Sequence, residues 1–153
     1  MYERNFSINR WFVERSRQER PRFRFEPDSF DWQQWKYDLL PQVKASLGPM
    51  PRSCDLNPEV VAEWNDRGVI KQRVIIDVEP GLSAPIYVCW KEGLSTPAPL
   101  ILCCHGHGPY GKETVVANRE TPEVCHEIDA VNYGYGFEMA KAGFVTVAMD
   151  WRG

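Results

Sequence analysis

The residues of this chain that could do chemistry are concentrated in residues 105–112, His-Gly-His-Gly-Pro-Tyr-Gly-Lys, which we call the glycine loop. A mostly apolar run, Pro-Leu-Ile-Leu-Cys-Cys at residues 99–104, leads directly into it. Because glycine has no Cβ, backbone N–H groups beside it can turn towards a ligand that a side chain would block. The pattern is typical of a buried parallel strand that opens at its C-terminal end into a binding site.

One interpretation of the glycine loop is phosphate binding. Residues 106–112 fit the pattern G-x-x-x-x-G-K, and a later apolar run ends in Asp150, which could serve a magnesium ion. Three residues argue against it. Glu113 stands where a P-loop needs a hydroxyl on the metal, Pro109 removes one N–H donor, and Pro122 interrupts the helix that should follow. A nucleotide-binding P-loop therefore stays only as an alternative.

A second interpretation is a metal site, since Cys103, Cys104, His105 and His107 all carry donor atoms. Alternation along a strand sends Cys103 and Cys104 to opposite faces, and no second pair stands at a zinc-like spacing. The acidic cluster around His126 is isolated in the sequence. We therefore expect no metal, and expect the thiols to pack as small apolar side chains.

The third interpretation is an oxyanion hole, because a strand ending in His-Gly-x-Gly can point backbone N–H groups at the oxygen of a tetrahedral intermediate. Each such donor stabilises an acyl-transfer transition state by about 3 to 4 kcal/mol. The sequence resembles the α/β-hydrolases in three stretches, which are residues 100–108, the Lys-Ala-Gly at 141–143 and the Asp-Trp-Arg-Gly at 150–153. It looks most like the branch that contains dienelactone hydrolases and acetyl-xylan-esterase-like enzymes. The resemblance extends over residues 28–153.

The resemblance implies roles for individual residues of the glycine loop. In the family, the residue after His-Gly donates its backbone N–H to the oxyanion, and that position is His107 here. Gly106 and Gly108 would shape the loop. His105 would brace the loop rather than transfer protons.

Residues outside that stretch are expected to be structural or solvated. Asp150, Arg152 and Gly153 match a structural turn of the family. Lys112 and Glu113 are predicted to be solvated rather than to border the substrate. The resemblance implies neither a metal nor an organic cofactor.

The sequence lacks the rest of the family's catalytic residues. An α/β-hydrolase carries its nucleophile in G-x-S-x-G after the next strand, followed by its acid and its histidine. No Gly-x-Ser-x-Gly occurs in these 153 residues. We therefore expect the N-terminal part of a serine hydrolase acting on carboxylic esters or related acyl compounds, truncated before the nucleophile elbow and inactive alone. A non-catalytic interaction domain is a further alternative.

The first element predicted to support this site is a helix with apolar residues at helical spacing from Trp32. Asp28 or Ser29 could cap its start. Pro41 is expected to end it, or to begin a second short helix that stops at Gly48.

The fold class that follows is α/β, with an N-terminal helix, an antiparallel β-hairpin and then a β-α-β unit with parallel strands. The predicted elements are strands at 69–78 and 85–90, a strand at 99–104, a helix at 133–142 capped by Asn132 and closed by Gly143, and a strand at 144–149. Without the nucleophile strand the sheet would be incomplete. The strand at 99–104 would then be an edge through which the chain could self-associate.

Composition adds to this prediction. Residues 1–27 form a basic arm, with seven arginines and three glutamates in the first 24 residues, while the whole chain has net charge −3. Apolar residues interrupt the arm, so we expect neither nucleic-acid binding nor membrane association. No apolar run approaches a membrane span and no signal sequence is visible. Five irregularly spaced cysteines favour a reducing, cytoplasmic compartment.

Overall fold

The computed structural model describes residues 4–25 and 31–151. The chain divides into two compact units, residues 1–50 and residues 51–153. In the described part of the chain, no helix is both long enough and apolar enough to cross a membrane.

The described residues of the first unit form the helices α1 (Ile8–Gln18) and α2 (Trp32–Ser46). Asp31 caps α2 by accepting hydrogen bonds from the backbone N–H groups of Gln33 at 2.9 Å and Gln34 at 3.2 Å. The predicted caps, Asp28 and Ser29, lie outside the described residues.

The prediction that Pro41 ends the first helix is wrong, because α2 continues through it to Ser46. The proline ring fixes φ near the helical value, so the chain loses one backbone hydrogen bond there without having to leave the helix. Gly48 follows the C-cap residue Leu47 with a φ of +75°, as expected for a glycine that stops a helix.

The second unit is built on a five-stranded, mostly antiparallel sheet. Its strands are β1 (Glu59–Asp66), β2 (Val69–Glu79), β3 (Leu82–Lys91), β4 (Leu100–Cys104) and β5 (Val145–Met149). Their order in the sheet is β1-β2-β3-β5-β4. β5 therefore lies between β3, to which it is antiparallel, and β4, to which it is parallel.

Two tight turns set the register of the antiparallel strands. Arg67 and Gly68 both have positive φ values, 52° and 82°, which is the requirement of a type I′ turn between β1 and β2. Pro80 and Gly81 connect β2 to β3, with Gly81 at φ +82°. β1 was not predicted from the sequence, because it is largely exposed and shows little apolar alternation.

Three helices follow β4: α3 (Lys112–Val115), α4 (Pro122–Val131) and α5 (Tyr135–Lys141). The hydroxyl of Thr121 caps α4 and Pro122 occupies its first turn, where a missing N–H costs nothing. The prediction that Asn132 caps the following helix is wrong. Asn132 instead ends α4 in a left-handed conformation, with φ +54°, which asparagine tolerates better than most residues.

The core of the second unit lies between the sheet and α3 to α5. Its buried members include Tyr87, Cys89, Cys103, Val115, Val116, Phe137, Ala140 and Ala148. β4 is only partly buried, contrary to the fully buried strand that residues 99–104 suggest. It pairs with β5 on one side, and on the other side no strand in the described residues pairs with it. Leu100 and Leu102 are consequently 63% and 51% exposed.

We expect Gly136→Ala to destabilise the second unit, although alanine is the better helix former. A Cβ at Gly136 would stand 2.9 Å from both Cγ1 and the backbone oxygen of Val115. Overpacking against a backbone atom costs about 1 to 3 kcal/mol, more than the helix propensity returns. Urea denaturation checks this, with Gly108→Ala as the control, since the nearest atom to a Cβ there is at the ordinary contact distance of 3.8 Å. Equal midpoints for the wild type and Gly136→Ala would contradict the packing argument.

Candidate functional site

The glycine loop begins at the C-terminal end of β4, beside the C-terminal end of its parallel neighbour β5. Gly106, His107 and Gly108 are all exposed there. Within residues 4–25 and 31–151, no atom accepts a hydrogen bond from the His107 backbone N–H. The loop therefore presents this donor at the end of the strand where open α/β sheets place their ligands.

His105 is held by Trp151, the residue that follows β5 by two positions. The Trp151 backbone N–H donates to Nε2 of His105 at 3.2 Å, and the Trp151 indole N–H donates to the His105 carbonyl at 3.2 Å. Because Nε2 accepts a hydrogen bond, the neutral imidazole carries its proton on Nδ1. Nδ1 lies 2.9 Å from the Gly106 carbonyl oxygen, which it reaches as a donor.

Two tyrosines contact the other side of this junction, Tyr133 from the segment that connects α4 to α5 and Tyr135 from the start of α5. The hydroxyl oxygen of Tyr133 accepts a hydrogen bond from the Gly106 backbone N–H. The hydroxyl of Tyr135 donates to the Cys104 carbonyl at 2.5 Å. Burial raises the pKa of Tyr135 to about 12, so this hydroxyl keeps its proton at neutral pH.

Lys112 closes the glycine loop by an ion pair with Asp150. The side-chain Nζ of Lys112 contacts the Asp150 carboxylate, and its backbone N–H donates to the same carboxylate at 2.9 Å. Burial pushes the pKa of Asp150 upwards, but the hydrogen bonds and charge of Lys112 outweigh it, so that this pKa lies below its ordinary value of 3.8. Gly111 lies against the same carboxylate with φ +49°, where a Cβ would clash.

The prediction that Lys112 is solvated is wrong, since it is only 8% exposed. Its neighbour Glu113 is half-buried and accepts hydrogen bonds from the Tyr87 hydroxyl at 2.9 Å and from the side-chain amide of Asn118 at 2.6 Å. Both charged groups thus have partners inside the protein. Lys112 is engaged with Asp150 and begins a helix of only four residues, which differs from the long helix of a P-loop.

The cysteines and histidines do not gather into a metal site in the described residues, where no group of three or more His, Cys, Asp or Glu side chains could hold an ion. Cys103 is buried and Cys104 exposed, as strand alternation requires. Burial raises the pKa of the Cys103 thiol, and the neighbouring Cys104 adds to the rise. Cys103 therefore packs as a small apolar side chain.

Two open depressions lie close to the glycine loop. One, of about 430 Å³, is lined by Pro109, Tyr110, Pro122, Glu123, His126 and Glu127. The other, of about 380 Å³, lies at the end of β5 and is lined by Val78, Leu82, Ser83, Ala84, Pro85, Met149, Asp150 and Trp151.

The structure brings four of the predicted site residues together, namely His105, Gly106, His107 and Asp150, with Gly108 next to them. Arg152 and Gly153 lie outside the described residues. Sequence reasoning missed Tyr133, Tyr135 and Trp151. Each of them contacts a residue 27 to 46 positions away in the sequence. The signal that could have identified them is that all three are aromatic residues with a polar group, placed near the start of a helix or just after a strand.

Comparisons with known proteins show a structural likeness. No protein-family model matches the chain, and no curated protein matches it in sequence. Among solved structures, it is similar to that of a candidate acetyl xylan esterase from Bacteroides fragilis, with a TM-score of 0.67 and 19% identity. The match covers 96% of this chain and 38% of that protein. At this identity the likeness concerns the fold: the chain has a mixed α/β, hydrolase-like fold and spans less than half the length of the protein it resembles.

Proposed function

We propose that this chain is the N-terminal part of a serine esterase of the α/β-hydrolase type and supplies its oxyanion hole. The observation that carries the proposal is the His107 N–H, which has no acceptor in the described part of the chain and is presented at the C-terminal end of β4. The hydrolase-like fold supports it, as does the esterase designation of the structural neighbour. The substrate class is carboxylic esters or related acyl compounds.

The chemistry follows from the placement of that donor. A serine hydroxyl attacks the ester carbonyl carbon while a histidine removes its proton, and the carbonyl oxygen becomes negatively charged. The His107 N–H donates to that oxygen, together with the N–H of the residue after the serine. Collapse of the intermediate expels the alcohol, and water then releases the acid. His105, Asp150 and the two glycines of His-Gly-His-Gly support the donor rather than react.

We propose that the serine, its acid partner and its histidine lie on polypeptide beyond these residues. No Gly-x-Ser-x-Gly occurs in the 153 residues, and the chain spans 38% of the structural neighbour. No strand in the described residues pairs with the outer side of β4, which leaves that side open to a nucleophile-bearing strand.

The test is hydrolysis of p-nitrophenyl acetate by two proteins, the 153-residue chain and the same chain continued by the reading frame after Gly153. We expect turnover only in the longer protein, whose continuation contains Gly-x-Ser-x-Gly, and we expect a serine-directed phosphonate to abolish it. Phosphonate-sensitive turnover by the 153-residue chain would contradict the proposal, as would a continuation without the motif.

We expect the 153-residue chain by itself to associate through β4, because its edge carries the exposed side chains of Leu100 and Leu102. Sedimentation velocity should therefore show oligomers. The variant Leu102→Lys, which puts a charge on the exposed strand, should shift the distribution towards monomer, whereas Leu82→Lys, on another strand, should not. A monodisperse monomer of the unsubstituted chain would rule this edge out as a contact.

We place this activity in a reducing compartment, the cytoplasm. All five cysteines are free, and Cys103 and Cys89 are buried in the core as thiols. A protein from an oxidising compartment would be expected to form structural disulfides rather than to keep five free thiols.

A further inference from the structure

We propose that Tyr133 is a positioning residue of the oxyanion site, which fixes the direction of the His107 N–H by holding the amide of Gly106. The inference rests on the proposed function and assigns a role to a side chain from a distant segment of the chain. It is carried by the hydrogen bonds on both sides of the peptide group between His105 and Gly106.

That peptide group is held at both of its polar atoms. Its carbonyl, on His105, accepts the indole N–H of Trp151 at 3.2 Å, and its N–H, on Gly106, donates to the Tyr133 hydroxyl. The C=O and N–H of a trans peptide point in opposite directions within one plane. Trp151 and Tyr133 therefore fix the orientation of this plane from opposite sides.

The next peptide group carries the proposed catalytic donor. Its carbonyl, on Gly106, accepts from Nδ1 of His105 at 2.9 Å, and its N–H is that of His107. Rotation between the two planes occurs only at Gly106, which as a glycine would otherwise have the widest choice of φ and ψ. The hydrogen bond to Tyr133 limits that choice, and it also satisfies the Gly106 N–H, so that of these two N–H groups the one on His107 is left without an acceptor in the described residues.

Gly106 and Tyr133 are sterically matched as well. A Cβ built on Gly106 would lie 2.8 Å from the Tyr133 hydroxyl oxygen, closer than real Cβ contacts. A side chain at position 106 would therefore force Tyr133 to shift from its present place beside the Gly106 amide. The contact with Tyr133, 27 positions away in the chain, therefore favours glycine as the second residue of His-Gly-His-Gly.

Tyr135 provides the matched control. Its ring lies 6.0 Å from that of Tyr133, and its hydroxyl also contacts the junction. It donates to the carbonyl of Cys104, on the strand side, and contacts neither polar atom of the His105–Gly106 peptide group. Removing each hydroxyl separately distinguishes a general loss of packing or stability from a loss of amide orientation.

The experiment is nuclear magnetic resonance of ¹⁵N-labelled protein carrying 3,5-difluorotyrosine at position 133, with Tyr133→Phe and Tyr135→Phe for comparison. Ionisation turns the phenol into a stronger acceptor, so the Gly106 amide proton should move downfield as the fluorinated ring titrates. In Tyr133→Phe the Gly106 amide should exchange faster and lose any such pH dependence. In Tyr135→Phe its resonance should stay close to the wild-type position.

If the chemical shift of the Gly106 amide proton does not change as residue 133 ionises, the inference is overturned. The fluorinated protein keeps the hydroxyl, so this result does not depend on whether Tyr133→Phe folds.

A kinetic measurement on the longer protein separates this inference from the proposed function. If that protein hydrolyses esters, Tyr133→Phe should lower kcat by about tenfold or more with little change in KM, because a misdirected donor fails mainly in the transition state. Equal kcat values for Tyr133→Phe and Tyr135→Phe would overturn the inference. A Gly106 resonance that follows Tyr133 in a protein without esterase activity would support the positioning role and overturn the proposed function alone.

Discussion

Replacing His107 by proline in the ester-hydrolysing protein is expected to lower kcat by about 10²- to 10³-fold, whereas His107→Ala should retain most of the activity. Proline removes the imidazole and also the backbone N–H that the proposal assigns to the oxyanion, and the loss of one such donor has an effect of this size in acyl transfer. Alanine removes the imidazole and keeps the N–H. The pair therefore separates the backbone of residue 107 from its side chain.

The measurement is kcat and KM for p-nitrophenyl acetate, with thermal unfolding to show that both variants are folded. We expect KM to change little, because the oxygen becomes charged only on the way to the tetrahedral intermediate. Proline at 107 also restricts Gly106, so a third variant, Gly108→Ala, controls for stiffening of the loop without loss of a donor. If His107→Pro is fully active, the oxyanion assignment is wrong.

The second large effect concerns a buried lysine in the sheet. Asp66→Ala is expected to destabilise the protein by about 3 to 5 kcal/mol, because it leaves the charge of Lys71 without its partner. The Lys71 side chain is 1% exposed and its Nζ lies 2.6 Å from the Asp66 carboxylate. The same Nζ also contacts the Ala117 carbonyl at 3.3 Å and lies over the Phe137 ring. Such a loss is a large part of the stability of an ordinary domain.

A second substitution tests whether the charge is the cause. In the background of Asp66→Ala, Lys71→Met should restore much of the stability, since methionine fills a similar volume and needs no counter-ion. Urea denaturation of the wild type and the two variants measures this. Equal stability of Asp66→Ala with and without Lys71→Met would show that the buried charge does not cause the loss.

The same pair predicts an acid dependence. Burial pushes the pKa of Asp66 upwards, but hydrogen bonds from Arg67 and Lys71 outweigh it, so its pKa in the folded protein lies below 3.8. The stabilisation is therefore fully present above about pH 3.8 and is lost as the pH falls through the lower folded value. The variant carrying both Asp66→Ala and Lys71→Met should lack this part of the acid transition.

An element of the fold can be predicted from the sequence when a few adjacent residues determine it. The runs that became β2, β3 and β5 are rich in β-branched residues, and Gly48 and Gly143 end helices with φ values of +75° and +101°. Such features are determined by a few adjacent residues. β1 and α3 carry no comparable signal, because β1 is mostly exposed and α3 is a single turn.

The candidate site shows the same limit. The glycine loop and its neighbour Asp150 could be identified because their residue types stand at recognisable spacing after apolar runs. The environment of Lys112 could not, because its burial depends on an aspartate 38 positions away. The sequence predicts Tyr133 and Tyr135 only as part of a helix. No neighbouring residue indicates that their hydroxyls contact backbone atoms of residues 104 and 106.

The position of β5 between β3 and β4 has a consequence for synthesis on the ribosome. β4 emerges about forty residues before β5, yet its only strand partner in the described chain is β5. Until residues 145–151 have left the exit tunnel, the nascent β4 has no neighbour, and His105 and Lys112 lack Trp151 and Asp150. The antiparallel strands β1 to β3 can pair early, whereas the backbone around residue 107 is organised in a late, long-range step.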